Sequence, residues 1–244
     1  MSLYTASRIV GGVKEYLYHG MQQLPIVLTT TSLVFTVATG SMAHLNLAAG
    51  MGLLMPIYAF LCQMLSGYLF KKFFPDAIFW KRTSSDVCRI IPGMKGEEKT
   101  LAYYLKDDHT GDVVPSYWIS AVSFFIGYTM TNAVDSLLTP AAPGSSDINY
   151  EKRNTQAIHI IVSLCIFSVF ILGLRFRYMS GCEGLGNGGI ALSLVFAVGA
   201  AGIGYGMYNF SKTCGAKSSD LLGILSQILP AEATRPHPVV CTAN

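Results

Sequence analysis

Between Glu15 and Lys71 the chain runs for 55 residues without a formal charge, and three further uncharged stretches follow at 113–134, 154–174 and 184–211. A helix rises about 1.5 Å per residue, so about 20 apolar residues cross a hydrocarbon core of roughly 30 Å. The first stretch is long enough for two crossings and divides at Gly40-Ser41-Met42-Ala43-His44, a turn-compatible break. The pattern predicts five membrane-spanning helices, at about 22–40, 45–70, 116–138, 156–174 and 186–209, in a single membrane domain. Only 13% of the 244 residues are charged, against about 25% in a soluble domain. That excludes an ordinary water-soluble enzyme and a disordered chain.

Unpaired backbone groups are too costly in lipid for anything but helices or a closed barrel. Barrel strands alternate polar and apolar positions, and neither Ile158–Phe167 nor Ile190–Val198 does so. The expected fold class is therefore all-α and polytopic. With five spans, the N-terminal segment and the loops 71–115 and 175–185 share one face, which carries twelve Lys and Arg; the opposite face, including the tail 210–244, carries five. The positive-inside rule then puts the N-terminus in the cytoplasm and the C-terminus on the opposite side. Residues 1–20 mix Arg8, Lys14 and Glu15 with Ile9, Val10 and Val13, as a short interfacial helix would. No removable signal peptide is expected.

Nearly half of the charges fall in the loop 71–115. Lys71, Lys72, Lys81 and Arg82 stand beside Phe73, Phe74, Phe79 and Trp80. That arrangement suits snorkelling helix ends that fix depth, and makes the four cations candidates for contact with lipid headgroups. In the tail, Ser218-Ser219-Asp220 offers helix-capping oxygens, Leu221–Leu229 is too short to span, and Pro230 is a stop. A short amphipathic helix is expected there. Of the six cysteines, Cys62 and Cys165 lie in spans and Cys88 and Cys182 on the face read as cytoplasmic; Cys214 and Cys241 in the outer tail are the only pair that reading connects.

Ionisable and amide groups within spans are the default functional candidates. Asp135 is the one formal charge inside a span; His159, with the amides Asn46, Gln63 and Asn132, is neutral and polar, and His44 lies at the first turn. Asp135 and His159 both fall near the outer face, where they could form a proton-linked pair; the plainer reading is an interfacial carboxylate and a capping histidine. Pro56 frees a carbonyl about one turn earlier in the second span. In the last span Gly202 and Gly206 form GxxxG, with Ala200 and Gly204 offset beside them, a surface that allows close approach of another helix. Gly202–Gly206 also resembles the potassium-filter signature over five residues, but Gly202 replaces its threonine and no sixth apolar run follows to serve as an inner helix.

No catalytic motif, phosphate loop or Cys/His cluster is present in the sequence, so no cofactor, metal or nucleic-acid partner is expected and the chain does not read as an enzyme. Gly184–Gly189 is glycine-rich, but it joins two spans rather than a strand and a helix. The leading expectation is a structural or assembly subunit of a membrane complex, viral or organellar ones included, embedded in the lipid bilayer with homo- or hetero-oligomeric partners. The runner-up is a small-solute or ion transporter or channel using Asp135, His159, Gln63, Asn132 and the Pro56 break. A membrane-embedded enzyme comes third.

Overall fold

A computed structural model describes residues 3–74, 76–83, 88, 113–139, 147–214 and 221. The helices are α1 Leu3–Thr39, α2 Met42–Ala49, a π-helical turn Gly50–Leu54, α3 Met55–Phe73, α4 Tyr117–Leu138, α5 Asp147–Tyr178, the one-turn α6 Ser180–Glu183, and α7 Gly186–Thr213. Four stretches are long and apolar enough to cross a membrane: His19–Thr39, Met42–Phe73, Glu151–Tyr178 and Gly186–Thr213. The chain is an all-helical membrane protein by that measure.

Two boundaries differ from expectation for local reasons. A separate interfacial helix before residue 20 is not formed; α1 is continuous for 37 residues and carries Pro25 inside it. The break expected across 40–44 is only Gly40-Ser41: Gly40 adopts φ +65°, which its missing Cβ allows, and Met42 already begins the next helix. The tail helix expected after Asp220 lies outside the described residues, except that Leu221 is buried and packs in a cluster with Leu47, Tyr128 and Tyr208.

Helix α4 occupies the centre. It runs alongside α7 in the same direction, with Phe124 and Tyr128 opposite Gly204 and Asp135 opposite Tyr208. Against α5 it runs in the opposite sense, so Trp118 at its start meets Arg175 near the end of α5. Buried residues occur on every side of α4, from Trp118 and Ile119 through Phe124 and Tyr128 to Ser136. Ser116 caps its start by accepting from the Ile119 amide at 3.1 Å. Many of its hydroxyls return to the backbone one turn back, as Ser120 to Ser116, Thr131 to Gly127 and Ser136 to Asn132. A helix walled in by others needs no apolar surround, and self-bonded Ser and Thr satisfy it cheaply.

The first two residues of α4 repair the helices around them. Pro25 has no amide hydrogen for the carbonyl of Met21, four residues back. The Trp118 indole donates to that oxygen at 2.5 Å. In the π-helical turn the hydrogen bonds run from residue i+5 to i, as from the Met55 amide to Gly50. Pro56 therefore leaves the carbonyl of Met51 without its amide, and the Tyr117 hydroxyl donates there at 2.9 Å. Two adjacent aromatic side chains thus cap the two carbonyls that two prolines release.

Candidate functional site

Polar side chains gather at both ends of α4. At its C-terminal end Asp135 accepts from the Tyr208 hydroxyl at 2.8 Å and from Lys212 Nζ at 2.7 Å, both on α7. These are one turn apart, so a single carboxylate engages two successive positions of the neighbouring helix. Tyr208 meets Tyr128 edge-on with centroids 5.8 Å apart. Asn46 on α2 donates to Ser211 of α7 at 2.8 Å. Asn132 is fully buried one turn before Ser136. The result is a polar seam between α2, α4 and α7 whose outermost member, Lys212, is exposed.

At the N-terminal end lies a buried ion pair. Arg175 Nε and Glu183 Oε1 are 2.7 Å apart, with side chains 1% and 0% exposed. The other Glu183 oxygen accepts from Ser116 Oγ at 2.6 Å, the Glu183 carbonyl accepts from Ser193 Oγ, and the guanidinium lies over the Trp118 ring at 4.6 Å. Charges out of water persist only when their lone pairs and protons are this well matched. The Glu183 carboxylate therefore joins the start of α4 to the end of α5, and its backbone carbonyl adds α7.

Beside it Cys182 is bonded to Cys88, with Cα atoms 5.1 Å apart across 94 residues of sequence. The sequence reading connected only Cys214 with Cys241, so this bond corrects it in one respect: Cys88 and Cys182, which it left unconnected, are paired. The misreading came from tying redox state to sidedness. Cys214 is also disulfide-bonded; Cys241 lies outside the described residues.

A short hook closes the same end. The Thr83 amide donates to Gly181, the Leu185 amide to Lys81 and the Val114 amide to Trp80, at 2.8–3.2 Å. Phe79 of the hook sits against Gly188, where a Cβ would come within 2.9 Å of the Phe79 Cβ, and Gly184 and Gly189 touch backbone to backbone. The glycine-rich run 184–189 is thus a close-approach device.

The small residues of α7 divide into two faces. A Cβ on Gly204 would lie 2.6 Å from the Phe124 carbonyl oxygen and 2.8 Å from the Tyr128 amide. Ala200 is fully buried, and a Cβ on Gly127 of α4 would sit 2.8 Å from Ala201 Cα. Ala200 and Gly204 therefore hold α7 against α4. A Cβ on Gly202 or Gly206 would meet nothing within 4 Å.

Among the other expected positions, Gln63 donates to the Pro115 carbonyl at 2.6 Å, and Pro56 is exposed on α3. His159 is exposed on α5, while Asp135 has taken Lys212 and Tyr208 as partners. Lys71 and Lys72 are exposed; Lys81 lies over the Trp80 ring at 4.8 Å, and Arg82 Nε donates to Val113 at 3.1 Å. Sequence reasoning missed the Arg175–Glu183 pair, though Glu183 is the one acidic residue in a short loop that opens with two arginines. Among the described residues no three His, Cys, Asp or Glu side chains converge as metal ligands. No protein-family model, curated protein or solved structure matches this chain.

Proposed function

We propose that the chain is a five-span integral membrane protein acting as a structural or assembly subunit of a membrane complex. Helix α4 is the fifth span: its 22 residues reach about 33 Å and lie alongside the apolar spans. It has less apolar surface because helices rather than lipid surround it. The two termini then lie on opposite sides; the excess of Lys and Arg favours a cytoplasmic N-terminal face, while the Cys88–Cys182 bond on that face argues for an oxidising compartment there.

The observation that carries the assembly reading is the open face of α7. Ala200 and Gly204 are spent on α4, yet Gly202 and Gly206 stand one turn apart with empty space over them, flanked by exposed Val195, Val198 and Tyr205. GxxxG of this kind lets a second backbone approach closely in lipid. Replacing both glycines by leucine should shift the protein from an oligomer to a monomer on a native gel while leaving its helical content unchanged. An unaltered oligomer would overturn the reading.

The polar seam around Asp135 favours a second reading, an ion or solute pathway. Reconstitution in liposomes tests it: a cation or proton flux abolished by Asp135→Asn would put transport ahead of assembly.

A further inference from the structure

We propose that the hook Asp76–Thr83, with the neighbouring ends of α3 and α5, forms a binding belt for the phosphate headgroups of anionic lipids. Lys71 and Lys72 end α3, Lys81 and Arg82 lie in the hook, and Arg177 ends α5. The hook is not a loose loop. Its backbone is bonded to Val114, Gly181 and Leu185, and Phe79 is wedged against Phe70 and Phe74 with centroids 5.0 and 6.0 Å away. The cations it carries are therefore held in place before any ligand arrives, which lowers the ordering cost of binding. Of the belt's five cations, three sit over rings: Lys72 over Phe73 at 5.9 Å, Lys81 over Trp80 at 4.8 Å and Arg177 over Tyr178 at 5.7 Å. Among the described residues of the hook Asp76 is the sole carboxylate.

The ligand source follows from what surrounds the cations. Phe73, Phe74 and Ile78 are each more than half exposed beside them. Apolar side chains next to fixed positive charge match the headgroup level of a bilayer, where acyl chain and phosphate meet. A free phosphate would leave those side chains in water. The belt is separate from the α7 face and does not depend on the assembly reading.

The test counts lipids retained by the purified full chain in detergent, using native mass spectrometry with phosphatidylglycerol and phosphatidylcholine as probes. Phosphatidylglycerol should be retained in preference. Lys72→Gln with Lys81→Gln should cut that preference by about fivefold for each cation removed, whereas Lys72→Arg with Lys81→Arg should keep it. Lys152→Gln, on α5 about 35 Å from Arg175, should also leave it intact. Equal retention of the two lipids by the wild type would overturn the proposal. So would the same loss from Lys152→Gln, or displacement of phosphatidylglycerol by excess inorganic phosphate.

Discussion

The pairing of each proline with an aromatic cap can be separated from ordinary packing by a double-mutant cycle. Tyr117→Phe removes one oxygen and leaves the ring in place. Its partner, the Met51 carbonyl, lies nine residues and about 14 Å into the rod that begins at Met42, on a residue whose side chain is fully buried. Hydrogen bonds inside membrane proteins average about 0.6 kcal/mol and reach about 1.7. An acceptor left unpaired away from water costs about 1–3 kcal/mol. Here no amide can take the oxygen because residue 56 is proline, so the upper part of the first range applies and the expected loss is about 1–2 kcal/mol. Pro56→Ala restores an amide hydrogen to the rod, and because Pro56 is exposed, little packing is lost with its ring. In that background Tyr117→Phe should cost at most about half as much, a coupling of ~1 kcal/mol. Reversible unfolding in mixed micelles, followed by circular dichroism against mole fraction of denaturing detergent, gives the four stabilities. Equal cost in both backgrounds would refute the idea that the hydroxyl substitutes for the missing amide.

Other substitutions probe the remaining contacts. Glu183→Gln strands the buried Arg175 and should lower stability by about 3–5 kcal/mol, whereas Arg175→Met with Glu183→Met should recover a large part of it; the same unfolding assay compares them. Gly204→Ala forces a methyl against the α4 backbone and should cost about 1–3 kcal/mol, exceeding the ~1 kcal/mol gain in helix propensity that alanine brings. Gly202→Ala, with open space above it in the single chain, should leave the stability of the dissociated chain unchanged or raised. The Cys88–Cys182 bond and the bonded Cys214 sit at opposite ends of the bundle. A membrane-impermeant phosphine added to sealed vesicles should therefore reduce only one of the two, and both after permeabilisation; reduction of both in sealed vesicles would contradict their placement.

The apolar runs were legible because hydrocarbon imposes a length and a charge rule that any span must meet, and the four apolar helices appear where those rules put them. What surrounds a helix was much less legible. Ser120, Ser123, Gly127 and Thr131 read as mildly polar span residues and did not single out α4 as the enclosed helix, since the more exposed α1 carries at least as many back-bonded hydroxyls. GxxxG pointed to close packing on α7 without saying that the offset pair Ala200 and Gly204 faces α4 while Gly202 and Gly206 face outward. That division depends on the rotation of α7, which periodicity leaves open. Pro25 and Pro56 looked like breaks; their repair comes from residues 117 and 118, far away in sequence, so no local pattern could reveal it. Asp135 was singled out by its cost in lipid, but its partner Lys212 looked like a tail charge. Arg175 and Glu183 were hidden for the opposite reason, since charges at span ends are ordinary until burial shows that they have been withdrawn from water.

The proposed function rests on α4 being a fifth crossing among the apolar helices, and an odd number of crossings would separate the two ends of the chain. Epitope tags at the N- and C-termini, exposed to protease in sealed vesicles of a single orientation, should give one tag cleaved and the other protected until detergent is added. Cleavage or protection of both tags together would mean an even number of crossings, and α4 would not be a span.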